Sequence, residues 1–154
     1  LAEIIKIENN LKNSWIWKKR EELVHIQKEL NYNHKFDISL PLSKWRNFIL
    51  KKNKFIKKNT QFTPYFFGHL GDGNLHCNFK VENELNKDIN ILSEFIYDLT
   101  ISLNGSIAAE HGLGQKKNML LKKYKSKEYY NFLKNLKNYL DPKKNLGANK
   151  LFKS

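Results

Sequence analysis

A chain of 154 residues is one domain's worth of polypeptide, long enough to bury roughly 70% of its unfolded surface without staples. Hydrophobic residues at 40% and aromatics at 13% exclude a disordered chain, and the single cysteine, Cys77, excludes an internal disulfide framework. The net charge of +13 raises nucleic acid or an anionic membrane as partners, but no apolar run approaches the ~18 residues of a membrane span. Only Arg20 and Arg46 offer the arginine forks that read base edges. Lysine runs such as Lys51-Lys52-Asn53-Lys54 read instead as the solvated faces of amphipathic elements in a Lys- and Asn-rich chain, so no nucleic-acid partner is expected.

Ser14 is a plausible N-cap for a helix reaching Leu30, with Ile16, Leu23, Ile26 and Leu30 as its stripe. Asn31 to His34 breaks that pattern, and Phe36 to Leu40 alternates like a half-buried strand. Pro41 suits the first turn of a second helix carrying Leu42, Trp45, Phe48, Ile49, Phe55 and Ile56 inward. Thr63–His69 and Leu75–Val81 read as strands joined by the turn Gly71-Asp72-Gly73-Asn74, a hairpin. Ile89, Leu92, Ile96, Leu99 and Leu103 fit a third helix, stopped by Asn104-Gly105. Ser106 to Ala109 is a short strand candidate. A last helix spans about Ser126 to Leu140, and Asp141-Pro142 ends it before a loose basic tail. Helices alternating with antiparallel strands make an α+β pattern without repeat or interior boundary, one domain over 1–154.

Chemistry concentrates in residues 68–78. His69 and His76 bracket a tight turn and can meet across the hairpin; a strand points His76 and Asn78 to one face, Cys77 and Phe79 to the other. Neutral imidazole is a common metal ligand, and a histidine pair wants a third donor, for which Glu110 at the end of the Ser106–Ala109 strand is the candidate. Spacing alone leaves plain polar surface as the alternative, and Glu110-His111 alone would be an exposed acidic-basic pair. Gly71-x-Gly73 lacks the Gly-Lys-Ser/Thr of a phosphate loop. Cys77 reads as a packed strand residue.

Gly-His-Leu-Gly-Asp-Gly-Asn-Leu-His (68–76), followed by Gly-Ser-Ile-Ala-Ala-Glu-His-Gly-Leu-Gly (105–114), resembles the C-terminal domain of FAD-linked oxidases. More narrowly it resembles the D-2-hydroxyacid dehydrogenases of the vanillyl-alcohol-oxidase type. Trp17-Lys18-Lys19-Arg20-Glu21 and Lys35-Phe36-Asp37-Ile38-Ser39-Leu40-Pro41 resemble two flanking motifs, the second that of the D-2-hydroxyglutarate branch. The resemblance spans about residues 15 to 152. It implies a ferredoxin-like antiparallel sheet with helices on one face, the latter part of the family's C-terminal domain. It implies that His69, His76 and Glu110 bind a divalent metal, zinc in the first place. Arg20, Lys35 and Asn78 would bind substrate, Arg20 by a bidentate grip on a carboxylate. His111 would take the hydroxyl proton while hydride passes to FAD.

Two segments depart from the family pattern. Val24 stands where the glutarate branch has Thr, and Gly147-Ala148 replaces an Asn-Pro near the flavin. The chain starts at Leu1 and reads as a processed chain or fragment, its flavin-binding domain supplied in cis or in trans. On its own it is expected to hold metal ligands without turning over a 2-hydroxyacid. The alternative from another class is a non-catalytic relic or binding module that keeps the fold. A cytoplasmic address, or a mitochondrial one in a eukaryote, fits either; the electron acceptor is not specified.

Overall fold

The computed structural model describes residues 14–30, 32–82, 85–115, 117–147 and 150–152. Helix α1 (Ser14–Glu29) leads to strand β1 (His34–Ser39), and a 3-10 turn (Leu42–Lys44) feeds helix α2 (Trp45–Lys58). Strands β2 (Phe62–His69) and β3 (Asn74–Val81) follow, joined by a second 3-10 turn (Leu70–Asp72). Helices α3 (Asn86–Ser102), α4 (Asn118–Tyr124) and α5 (Lys127–Leu140) complete the order.

The three strands form an antiparallel sheet in the order β1-β3-β2. Ser106 pairs with Ser39 on the open edge of β1, through Ser39 N–H to Ser106 O at 2.9 Å and the reciprocal bond at 2.8 Å. Strand–helix–strand, hairpin, helix, then an edge position beside the first strand is the split βαβ plan of a ferredoxin-like unit. Its fourth strand is reduced to this one bridge. The expected strand over Ser106–Ala109 does not extend because Ser106 Oγ turns back to the Ala108 carbonyl at 2.9 Å, bending the backbone after one pair.

Alternation along the strands separates two faces. Phe36, Ile38, Phe62, Leu75, Cys77, Phe79 and Val81 are buried on one of them. Phe48 of α2 and Leu92, Ile96 and Leu99 of α3 join them in a single core cluster. The Phe55 and Phe95 rings stack with centroids 3.8 Å apart, tying α2 to α3 above the same face. The helices thus cover one side of the sheet, and the polar side is left for the site.

Close approaches place two glycines. Gly73 ends the hairpin turn at φ +64°, and its carbonyl accepts Leu40 N–H at 2.9 Å; a Cβ there would lie 2.3 Å from the Leu40 oxygen. Gly105 lets the chain reach β1, since its Cβ would lie 2.4 Å from the Ser39 oxygen.

Several expected contacts differ. Pro41 precedes the 3-10 turn rather than opening α2. Leu42 and Ile49 are exposed because α2 buries Phe48 and turns Trp45, Phe55 and Ile56 toward the sheet. Leu30 is exposed just past the end of α1; the side chains of Ser14, Ile16, Leu23 and Val24 and all of Ala148 lie outside the described residues. Helix α4 joins the expected α5, whose N-cap Ser126 accepts Tyr129 N–H. The start of the tail, residues 143–147, is not loose. The Asp141 carboxylate accepts Asn145 N–H at 2.9 Å and Leu146 N–H at 3.0 Å, and Lys137 donates to it as well.

Candidate metal and substrate site

The polar face carries the site because strand register puts its residues side by side. Asp37 pairs with His76, which pairs on its other side with Phe67; Lys35 pairs with Asn78. His69 ends β2, and the hairpin returns its ring to within 5.5 Å of the His76 ring, centroid to centroid. Glu110 and His111 arrive from the loop beyond the Ser39–Ser106 bridge. Glu110 therefore sits on a loop and not at the end of a strand.

Asp37 holds that loop in place. Its Oδ2 accepts the backbone N–H groups of Glu110 and His111, each at 2.8 Å, and its Oδ1 accepts Asn74 Nδ2 at 3.1 Å. Burial pushes the Asp37 carboxyl up. The His111 and Glu110 N–H groups and the Asn74 amide outweigh that and hold it below its usual range. His76 Nδ1 lies 3.5 Å from Asp37 Oδ1. Burial lowers the His76 pKa against the pull of Asp37 and Glu110, which favours the neutral ring.

Glu110 stands among three imidazoles. Its Oε1 is 3.1 Å from His69 Nε2, and its Oε2 is 3.8 Å from His76 Nε2 and 3.9 Å from His111 Nε2. His69, His76 and Glu110 offer one donor atom each within 4.8 Å of one another, and so do Asp37, His76 and His111. The first set suits a metal better, because both oxygens of Asp37 already accept hydrogen bonds. Two nitrogens and a carboxylate with open positions form a donor set that zinc, iron or manganese accepts. Asp37 behind His76 then matches the carboxylate that commonly orients a metal-binding imidazole from its other nitrogen.

One cavity of about 500 Å³ gathers these groups. Arg20, Lys35, His69, His76, Asn78, Glu110 and His111 all line it, so the seven residues singled out in the sequence share one space. Asp37 and Lys117 line it too, and neither was singled out. An acidic residue at an alternating position of a strand otherwise carrying Phe36 and Ile38 was the available signal for Asp37. Cys77 faces the core, fully buried, and burial pushes its thiol pKa well up. It is a packing residue, as expected.

The polar face of this ferredoxin-like sheet thus presents histidines, two carboxylates and cations around one cavity. The chain belongs to the family described as FAD linked oxidases, C-terminal domain, whose sequence model matches residues 5–151. It is 34% identical over 128 residues to the mitochondrial D-2-hydroxyglutarate dehydrogenase of Bos taurus, covering 83% of this chain and 23% of that protein. A putative mitochondrial D-lactate dehydrogenase of Schizosaccharomyces pombe is 35% identical over 137 residues, covering 82% and 26%. The D-2-hydroxyglutarate dehydrogenase of Stutzerimonas stutzeri is 29% identical over 153 residues, covering 94% and 32%. The chain thus spans about a quarter to a third of the length of these relatives. Among the described residues no helix is long and apolar enough to cross a membrane.

Proposed function

We propose that this chain is the substrate- and metal-binding part of a FAD-dependent dehydrogenase that oxidises a D-2-hydroxyacid, hydroxyglutarate-like or lactate-like, to the 2-oxoacid. The observation that carries the reading is the convergence of three imidazoles, Glu110 and the cations Arg20 and Lys35 in one cavity of a FAD-linked oxidase domain. His69, His76 and Glu110 are the residues that would hold a divalent metal, proposed as zinc. When bound, the metal supplies Lewis-acid polarisation of the substrate oxygens, and FAD, held by a flavin-binding domain in cis or in trans, supplies the hydride acceptor.

The chain's own residues bind, orient and move the proton. Arg20 and Lys35 hold a substrate carboxylate, Arg20 through two parallel N–H donors. Asn78, directly across the ladder from Lys35, fixes the substrate between that carboxylate and the histidines. His111 is 72% exposed at its side chain, so its ring can face a substrate and take the hydroxyl proton at Nε2. Asp37 keeps His111 in place through its backbone N–H. A mitochondrial setting in a eukaryote, as in the names of the Bos taurus and Schizosaccharomyces pombe relatives, or a bacterial cytoplasm is consistent with this reading.

Metal content of the full-length protein tests the ligand assignment. His69→Ala and His76→Ala are each expected to lose the bound ion, measured by elemental analysis after dialysis. Wild-type metal content in both variants would sink it.

A further inference from the structure

Helix α5 leaves its apolar side in water. None of its 14 residues is buried. Tyr129, Phe132, Leu136 and Tyr139 recur at helical spacing and form one stripe. They are 41% to 83% exposed, and Leu140 beside them is exposed too. The helix is held from another side, where Tyr130 packs edge-on against the Phe152 ring at 5.4 Å and under the Lys122 ammonium at 5.3 Å. Its C-terminal end is also fixed. Lys137 donates to the Leu146 carbonyl at 2.6 Å and to Asp141, whose carboxylate accepts Leu146 N–H at 3.0 Å. Exposed Leu146 is thereby set at the end of α5. A continuous apolar patch on a preformed support marks an interaction surface.

The borders of the stripe say what covers it. Glu128 and Asn135 flank it on one side and Leu133 on the other, while Lys127 and Lys134 stand on the opposite side of the helix with Asn131 and Asn138. Lys143 and Lys144 come near only at the tail end. An anionic membrane is drawn by cations that snorkel along the edges of a stripe, and these edges carry none that is free, since Lys137 is tied to Asp141. A second copy of a chain carrying +13 meets self-repulsion. What fits is a protein surface of low charge within the same molecule. The chain spans about a quarter to a third of its relatives' length, and α5 lies inside the region that the family model matches. The helix is also close to the chemistry: α4, seven residues long, leads from Lys117 on the cavity wall to the turn before α5.

We propose that the exposed side of α5, together with Leu146, is the surface on which the flavin-binding domain docks. This rests on the dehydrogenase reading above and adds where its partner domain is seated.

The test places the photo-cross-linking residue p-benzoylphenylalanine at Tyr139 or at Phe132 of the full-length protein, with Asn138 as the control on the opposite side. All three positions are exposed, so the packing of this chain is left intact. Flavin absorbance and D-2-hydroxyacid oxidation are read first, because they test the dehydrogenase reading by itself. Irradiation is expected to join positions 139 and 132 to the flavin-binding domain, mapped by mass spectrometry, and that product is lost with the probe at Asn138. Equal products at all three positions, or none at Tyr139 and Phe132 in a protein that holds flavin and turns over, overturn the docking surface alone. Products with a second copy of the chain, or with lipid in phosphatidylserine vesicles, overturn it in favour of those occupants. Cross-links to the flavin-binding domain in a protein without turnover refute the dehydrogenase reading and leave the docking surface standing. Phe132→Asp gives a second readout: it is expected to lower the thermal midpoint of the full-length protein by several degrees, with Asn138→Asp leaving it unchanged. Equal midpoints overturn the proposal too.

Discussion

Asp37 joins sheet to loop more directly than any histidine of the site. One buried carboxylate receives two backbone N–H groups, a side-chain amide and the Nδ1 side of His76. Asp37→Asn keeps the volume and removes the charge. It is expected to weaken metal binding about 10- to 100-fold, as loss of an orienting partner does, and to lower stability by about 1–3 kcal/mol. Metal titration and denaturant unfolding check the two effects separately. The pH dependence has a definite sign. The folded carboxyl titrates below its ordinary value of 3.8, so its stabilisation is present above that value and is lost as pH falls through the folded pKa. The stability gap between wild type and Asp37→Asn should therefore close below about pH 4. The histidine pair was legible in the sequence because a short turn brings residues seven apart in the chain face to face. The role of Asp37 was not, because its backbone partners lie 73 and 74 residues away. Lys117 escaped notice for a related reason: among so many lysines, only burial distinguishes it.

Elements with strong period-two or helical patterning were readable along the chain, and glycine shapes two of the junctions between them, at Gly73 and Gly105. The spans of β2, β3, α2, α3 and α5 lie close to those expected, although Leu42 and Ile49 of the expected α2 stripe are exposed. Helix α4 was hidden because seven residues give under two turns of pattern. The Ser106 segment misled because its sequence is strand-compatible while a side-chain bond to Ala108 ends the pairing. Glycine substitutions separate two physical penalties at these junctions. Gly112→Ala carries only left-handed strain, with φ +65° and nothing within 4 Å of a new Cβ, about 1–2 kcal/mol. Gly73→Ala has the same strain and in addition drives a Cβ to 2.3 Å from the Leu40 oxygen, forcing the turn between His69 and His76 to move. It should destabilise clearly more than Gly112→Ala and also weaken metal binding. Denaturant midpoints with unchanged slopes, and the metal content of both variants, check this; equal penalties would mean that the turn yields without resistance.

At the scale of the whole molecule, the proposed site offers groups suited to holding a hydroxyacid and moving its proton, and among its described residues none that accepts two electrons. Its side chains are imidazoles, carboxylates, an amide and cations; Cys77, the one thiol, is sealed in the core with its pKa raised. The polar face is also open: Glu110 and His111 are 43% and 72% exposed at their side chains, so a second domain can reach the reacting carbon from that side. The chain's relatives are three to four times its length, consistent with such a domain. Produced alone, this chain is expected to take up about one divalent ion and to oxidise no D-2-hydroxyacid, even with a dye as terminal electron acceptor. Joined to a flavin-binding domain it should bleach the flavin absorbance when a D-2-hydroxyacid is added anaerobically. That spectrum measures the reductive half-reaction directly, independent of the physiological acceptor. Hydroxyacid oxidation by the isolated chain would place the electron sink within these residues, against the chemistry of the site. An unbleached flavin in a metal-loaded, folded joined protein would leave a binding module that keeps the fold without the reaction.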